Sequence, residues 1–215
     1  MRFVLLLTLV AAALPGCALL RTPPSAPVTP TAPLEAAWEQ RVQRLTPVTR
    51  FVVQGRVASS AIGFKADLRW RQWPDQRFEM RVAGPFGAGA AELSGTPLRV
   101  QVRTGKDAPT ISTDPEAWLQ RALGVRLPVR GLRWWALGLP DPGHPYRLWL
   151  DEQGRAARIV QLEWELEYPD YRAAGALDLP RRIDARNGDT RVIVLADRWE
   201  DLAPLPVAVE APPSN

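Results

Sequence analysis

The most regular pattern along the chain is an alternation of period two. Ile62, Phe64, Ala66, Leu68 and Trp70 are apolar, and Lys65, Asp67, Arg69 and Arg71 set among them are charged. Such a run predicts a strand with one dry and one wet face. Phe78, Met80 and Val82 against Arg77, Glu79 and Arg81 repeat the arrangement, and Trp73-Pro74-Asp75-Gln76 between the two runs has the chemistry of a hairpin turn. Leu98, Val100 and Val102 against Arg99, Gln101 and Arg103 predict a further strand, after a turn at Ser94-Gly95-Thr96-Pro97. Val160, Leu162, Trp164, Leu166 and Tyr168 alternate with Gln161, Glu163, Glu165 and Glu167. Tyr146, Leu148 and Leu150 form a shorter partner across a turn at Asp151 to Gly154. Asn187-Gly188 is a hairpin signal that pairs Leu177 to Ala185 with Arg191 to Trp199.

Helical spacing replaces this alternation in three places. Leu34, Trp38, Val42 and Leu45 recur along one face with charges between them, and Pro47 ends the helix. Thr113-Asp114-Pro115-Glu116 is a capping sequence ahead of Trp118, Leu119 and Leu123, with Gly124 as the stop. A short helix is predicted within Val129 to Leu137, closed by Gly138-Leu139-Pro140. The sum is a mainly β chain, an open, incomplete antiparallel barrel of about ten or eleven strands with about three α-helices. Its dry side is rich in Phe, Trp, Leu and Val. Periodicity leaves open whether the helices fill that side as an ordinary core or cover an apolar cavity.

Ahead of these elements Arg2 precedes an apolar run from Phe3 to Leu14, broken only by Thr8, and Leu14-Pro15-Gly16-Cys17 follows. This is the layout of a secretory signal and is too short to span a bilayer. It resembles a bacterial lipoprotein signal, which implies cleavage before Cys17 and acylation of that residue. Cys17 is the single cysteine of the chain, so the exported domain relies on its core rather than on a disulfide. Five prolines between Leu20 and Pro33 give an extended tether with a reach of about 40 Å. The chain divides into a signal at 1–16, a lipidated cysteine and tether at 17–33, the barrel domain at 34–200 and a proline-rich, disordered tail at 201–215.

Charge and chemistry then remove whole classes of function. The 27 basic and 23 acidic residues leave a narrow positive excess with no long basic run, which points away from nucleic acid. His144 is the single histidine, so neither a histidine-based triad nor a multi-histidine metal site is available. It sits in Asp141-Pro142-Gly143-His144-Pro145 as a loop residue. No nucleophile elbow or phosphate-binding glycine loop occurs. Glu163, Glu165 and Glu167 read as a wet strand face. No enzyme and no cofactor are expected.

Several separate stretches resemble the LolB family of outer-membrane lipoprotein receptors, from about Trp38 to Trp199. They are the lipidated start, the strand Ala66 to Gln72, Gly84-Pro85-Phe86-Gly87 with Ala91-Glu92-Leu93 after it, and Leu132 to Pro140, reading LRWWALGLP, which is the most specific. The resemblance implies a helical lid over an apolar cavity that accepts acyl chains of client lipoproteins from a soluble, LolA-like periplasmic carrier. It also implies a lipid-anchored monomer in the outer membrane, facing the periplasm, with Phe86 at a hairpin tip that engages membrane lipid. Candidate cavity residues are Phe64, Leu68, Trp70, Phe78, Met80, Val82 and Val100 on the strands, with Trp134, Trp135 and Trp164. The departures are Pro15 in the signal and the residues beyond about Asp201. Two rivals remain: a barrel lipoprotein that carries another lipid, and a structural assembly lipoprotein whose sheet packs a solid core.

Overall fold

The alternating runs come together as one sheet because each strand has a dry side to bury, and a single sheet wrapped about a common interior buries them all. The computed structural model describes residues 27–60, 64–84, 90–105, 108–123 and 126–204. In chain order its elements are α1 (Ala32–Leu45), β1 (Val48–Ser59), β2 (Phe64–Gln72), β3 (Phe78–Ala83), β4 (Ala91–Thr96), β5 (Arg99–Thr104), β6 (Thr110–Ser112), α2 (Pro115–Leu123), α3 (Leu132–Ala136), β7 (Arg147–Leu150), β8 (Ala156–Gln161), β9 (Trp164–Ala174), β10 (Leu177–Asn187) and β11 (Thr190–Pro204). The sheet order is β6-β5-β4-β3-β2-β1-β11-β10-β9-β8-β7, antiparallel throughout. Consecutive strands are neighbours except β6 and β7, and β11 returns beside β1. The sheet does not close, since β6 and β7 remain its two edges.

One central strand is absent from the alternation. In β1 the residues Phe51, Val52 and Val53 are buried in succession, and its pairing with β11 shifts register at three places. Bulges of this kind destroy period two while leaving the strand intact. The turn expected at Ser94 to Pro97 falls later. β4 continues to Thr96, which pairs with Arg99, so the reversal is at Pro97-Leu98. Gly95 lies inside the strand at φ 139°, where a Cβ would stand 2.2 Å from the carbonyl oxygen of Arg99. Glycine here permits a close backbone approach rather than a turn.

The run from Val160 to Tyr168 is not one strand but the end of β8 and the start of β9. Gln161 pairs with Trp164 across a two-residue turn, in which Leu162 and Glu163 both have positive φ, 52° and 63°. That is the primed hairpin geometry that asparagine and glycine usually supply, so composition hid it. Leu148 and Leu150 accordingly pair with β8 rather than with β9. The last hairpin turns at Gly188-Asp189, one position beyond the expected centre, with Asn187 opposite Thr190. β11 runs on to Pro204, paired with Val48, so the sheet claims residues 201–204 from the expected tail.

The three helices pack on one face of this sheet. In α1 a proline occupies the first turn, Glu35 and Arg44 suit the helix dipole, and Leu45 is buried with Trp38 and Val42 against the sheet. Gly154, in the turn before β8, lets α1 lie directly on that turn, because a Cβ there would be 2.7 Å from Ala37 Cβ. Ahead of α1 the Val28 amide donates to the Leu150 carbonyl at 2.9 Å. The proline-rich arm is therefore held to the sheet edge at Val28, and its free reach ends there rather than at Pro33.

Candidate functional site

The dry face gathers into two side-chain clusters. In the first, Phe51 and Val53 of β1, Leu68 and Trp70 of β2, Phe78 of β3 and Val100 of β5 pack against Leu45 of α1, Leu119 of α2 and Leu137 and Leu139 beyond α3. Met80, Val82 and Trp134 are partly buried against it. Seven of the expected cavity residues thus share one surface: Leu68, Trp70, Phe78, Met80, Val82, Val100 and Trp134. Phe64 is described only as the first residue of β2. Trp135 and Trp164 belong to the second cluster, with Ile159, Leu166 and Tyr168, and their rings lie 6.3 Å apart. The helices fill the concave face here, and the surface that the sequence marks for acyl chains is a packed one.

Aromatic rings dominate its floor. Phe51 stands between Trp70 and Trp199, edge to face with each at 5.3 Å between centroids. The Trp70 indole Nε1 is buried and has no hydrogen-bond partner among the described residues. A buried donor left unpaired costs about 1 to 3 kcal/mol.

A concavity of about 630 Å³ opens at one end of the sheet, where the β2–β3 turn meets Leu98, the approach to α3 and the loop from Asp141 to His144. Gln72, Trp73, Phe78, Arg133, Trp134 and His144 are among its walls. Three of them, Gln72, Arg133 and His144, are placed by local bonding. The buried Gln72 donates Nε2 to the carbonyls of Trp73 and Arg77, fixing the turn. Arg133 donates to the Val48 carbonyl at 2.9 Å and lies 3.9 Å over the Trp134 ring, and burial pulls its guanidinium pKa down. His144 Nδ1 is 2.9 Å from a carboxylate oxygen of Asp141, so the lone histidine is a loop residue as expected, paired within its loop. Phe78 and Trp134 belong both to this mouth and to the first cluster, which makes the mouth continuous with the candidate apolar surface.

The alternation gave no sign of a buried cation. Arg41 of α1 is 5% exposed, with Nε and Nη2 lacking partners among the described residues. Its guanidinium lies 5.0 Å from the Tyr171 ring centroid, and Arg155 lies 4.3 Å from the same centroid. Burial lowers the Arg41 pKa, while Asp178 and Asp151 oppose that shift. Arg155 in turn bonds Asp151 and Asp178 at 2.8 and 2.6 Å. The helical spacing of Arg41, three residues after Trp38 and four before Leu45, was the available signal.

Cys17 and the hairpin residues Pro85, Phe86 and Gly87 lie outside the described residues, and Gly84 is the last one described before them. Val82 of β3 pairs with Ala91 of β4, which places the points where the chain leaves β3 and enters β4. These strand ends lie at the end of the sheet opposite the 630 Å³ mouth, since β3 runs from the Phe78 rim away towards Ala83. Among the described residues no helix is long and apolar enough to cross a membrane.

Comparison with known proteins assigns this architecture. The family model "Outer membrane lipoprotein LolB" matches residues 49–199. The chain is 37% identical to the outer-membrane lipoprotein LolB of Nitrosococcus oceani over 190 residues, covering 87% of this chain and 92% of the relative. It is 34% identical to that of Alkalilimnicola ehrlichii over 199 residues, covering 91% and 95%. Among solved structures, a LolA superfamily protein from Nitrosomonas europaea superposes with a TM-score of 0.50 at 10% identity, over 80% of this chain and 94% of the other, a likeness of fold alone. The chain belongs to the LolB family of outer-membrane lipoproteins.

Proposed function

We propose that the protein receives lipoproteins from a LolA-like periplasmic carrier and inserts them into the outer membrane. Cys17 supplies the anchor, and the first cluster accepts the client's acyl chains. The observation that supports this most is the continuity of the wide mouth at Phe78 and Trp134 with the apolar wall of Leu68, Trp70 and Val100. Each methylene kept out of water contributes about 0.8 kcal/mol, so chains move between apolar surfaces rather than through solvent. Transfer then needs no ATP, only a binding order of carrier, receptor and bilayer.

Because the helices occupy the concave face, chains enter by displacing side chains of α2 and the approach to α3 from the sheet. Trp70 Nε1 donates to an ester carbonyl of the incoming chain, which relieves its unpaired state. The protein works as a monomer, and Phe86 makes the membrane contact during release. The test is reconstitution. The mature lipidated protein in liposomes is given a client lipoprotein bound to its carrier, the client bearing a photoreactive acyl chain. Transfer into the liposomes, with crosslinks to Leu68, Phe78 or Val100, is the expected result. Transfer at the same rate from liposomes lacking the protein would overturn it.

A further inference from the structure

On the outer, wet face of the sheet Arg69 of β2 and Arg81 of β3 stand directly opposite each other. Side chains opposed in this way have Cβ atoms about 4.5 to 5.5 Å apart, and like charges there destabilise the pairing. Two cations on the neighbouring strands β1 and β11 are answered. Arg56 makes a two-pronged bond to Asp197, and Arg198 lies 3.3 Å from Glu200. Among the described residues neither Arg69 nor Arg81 makes an ion pair, although Glu92 is the next partner across from Arg81. The opposite neighbour of Arg69 is the uncharged Gln54, itself bonded to Glu200. Arg69 and Arg81 line a shallow concavity of about 460 Å³ on this face together with Arg56, Asp67 and Asp197, of which Asp197 is bonded to Arg56 and Asp67 stands opposite Arg56.

Position gives the pair its meaning. Arg81 is three residues before Gly84, about 10 Å along the strand, and therefore towards the same end of the sheet as the Gly84 to Ala90 connection. The polar zone of a bilayer leaflet is about 5 to 7 Å deep, and arginine extends its head along an apolar stem to reach such a zone. Two guanidinium groups that make no ion pair among the described residues match the oxygens of a phosphate, which they bind through paired N–H donors.

We propose that Arg69 and Arg81 clamp the phosphate of an anionic membrane lipid, orienting the sheet while its hairpin end meets the bilayer. This rests on the receptor reading above for the orientation, but its test needs neither carrier nor client. The mature lipidated protein is extracted in dodecyl maltoside micelles doped with phosphatidylglycerol or phosphatidylcholine, and retained lipids are counted by native mass spectrometry. The parent should retain phosphatidylglycerol preferentially. Arg69→Gln and Arg81→Gln should each lower that preference about fivefold, the effect of one basic residue near an anionic surface, and the double variant should abolish it. The double lysine variant should keep part of it, and Arg50→Gln, whose arginine already pairs with Asp201 at 3.1 Å, should keep all of it. Circular dichroism of each variant checks folding. Undiminished preference in the folded double variant overturns the proposal, as does displacement of the lipid by inorganic phosphate as effectively as by phosphatidylglycerol, which would mark a free-anion site. Failure of the parent to transfer clients, with lipid preference intact, counts against the receptor reading instead.

Discussion

The indole Nε1 of Trp135 donates to Oε1 of Gln161 at 2.9 Å, joining α3 to the end of β8 inside the second cluster. The same oxygen accepts the Asp141 amide, while the Gln161 Nε2 donates to the carbonyls of Asp141 and His144. Tyr168 adds a bond from its hydroxyl to the Trp135 carbonyl. Trp135 is thereby tied on both backbone and side chain, whereas its neighbour Trp134 faces the mouth. Gln161→Leu should leave at least two buried donors unpaired. It should cost about 2 to 6 kcal/mol at roughly 1 to 3 per orphaned group, read as a lowered denaturant midpoint with an unchanged slope. A loss under about 0.5 kcal/mol, the scale of an ordinary surface change, would show that the four bonds do not hold the loop.

Asp184 gives the sheet an acid-sensitive contact. It is buried at 4% exposure and accepts bonds from Arg191, with Arg182 and Arg186 close by. The bond to Arg191 holds its carboxyl pKa below the ordinary value of 3.8, against the opposing effect of desolvation. A folded-state pKa depressed in this way stabilises the protein fully above the unfolded value. The contribution fades as pH falls through 3.8 towards the folded value. Asp184→Asn should therefore be less stable than the parent at pH 7, with the difference shrinking below about pH 4. Urea unfolding at a series of pH values checks it, and a gap that stays constant into acid would remove Asp184 as its source.

How far the sequence could be read depended on where one face met water. Strands such as β2 and β3, wet outside and dry inside, were legible residue by residue, and so were α1 and α2. β1 was not, because it lies in the middle of the sheet with bulges, so Phe51-Val52-Val53 shows no alternation. The Leu162-Glu163 turn was invisible because neither residue is a usual bearer of positive φ. The shared surface of Leu68, Trp70, Phe78 and Val100 followed from periodicity together with pairing order. The separation of Trp135 from Trp134 did not, since adjacent residues on a short helix diverge only once tertiary bonds are known. Arg41 was hidden by its charge: a cation inside a helical apolar stripe reads as an interruption of the stripe.

The lipid anchor is tested chemically. Mass analysis of the mature N-terminus should find an acylated Cys17, and Cys17→Ala should accumulate uncleaved precursor because both processing steps require the thiol. Ala18 after it, where an acidic residue would favour the inner membrane, predicts fractionation with the outer membrane. An unmodified Cys17 would count against the anchor, and recovery with the inner membrane would count against the sorting expected from Ala18.

The acyl surface separates from general stability by comparing the two clusters. Leu68→Ala and Phe78→Ala remove side chains that are 8% and 4% exposed, each at a cost of about 2 to 5 kcal/mol. Both should also weaken binding of a fluorescent acyl probe by the mature protein. Leu166→Ala, in the second cluster at 1% exposure, should cost similar stability while leaving probe affinity in the folded fraction unchanged. Equal losses of affinity from the two clusters would assign the effect to folding and not to a site.

The proposed membrane contact of Phe86 makes a prediction about how delivery ends. Val82 pairs with Ala91, so the connection from Ala83 to Ala91 holds one large apolar residue with Pro85 and Gly84, Gly87 and Gly89 around it. This short, glycine-rich connection gives a phenylalanine few side chains of its own to pack against. Burial of that ring in lipid is worth about 1.5 to 3 kcal/mol. That is too little to anchor a protein but enough to favour contact when Cys17 already holds it nearby. Phe86→Glu should fold and still take a client lipoprotein from the carrier, yet release it into liposomes slowly, by about tenfold or more for a loss of 1.4 kcal/mol or greater. Phe86→Leu keeps an apolar contact and should retain most of the transfer rate. Acceptance is read by co-purification of client with receptor, and release by flotation of client with liposomes. Release by Phe86→Glu at the parental rate would return the hairpin to an ordinary turn, and failure at the acceptance step would place Phe86 at the carrier contact rather than at the membrane.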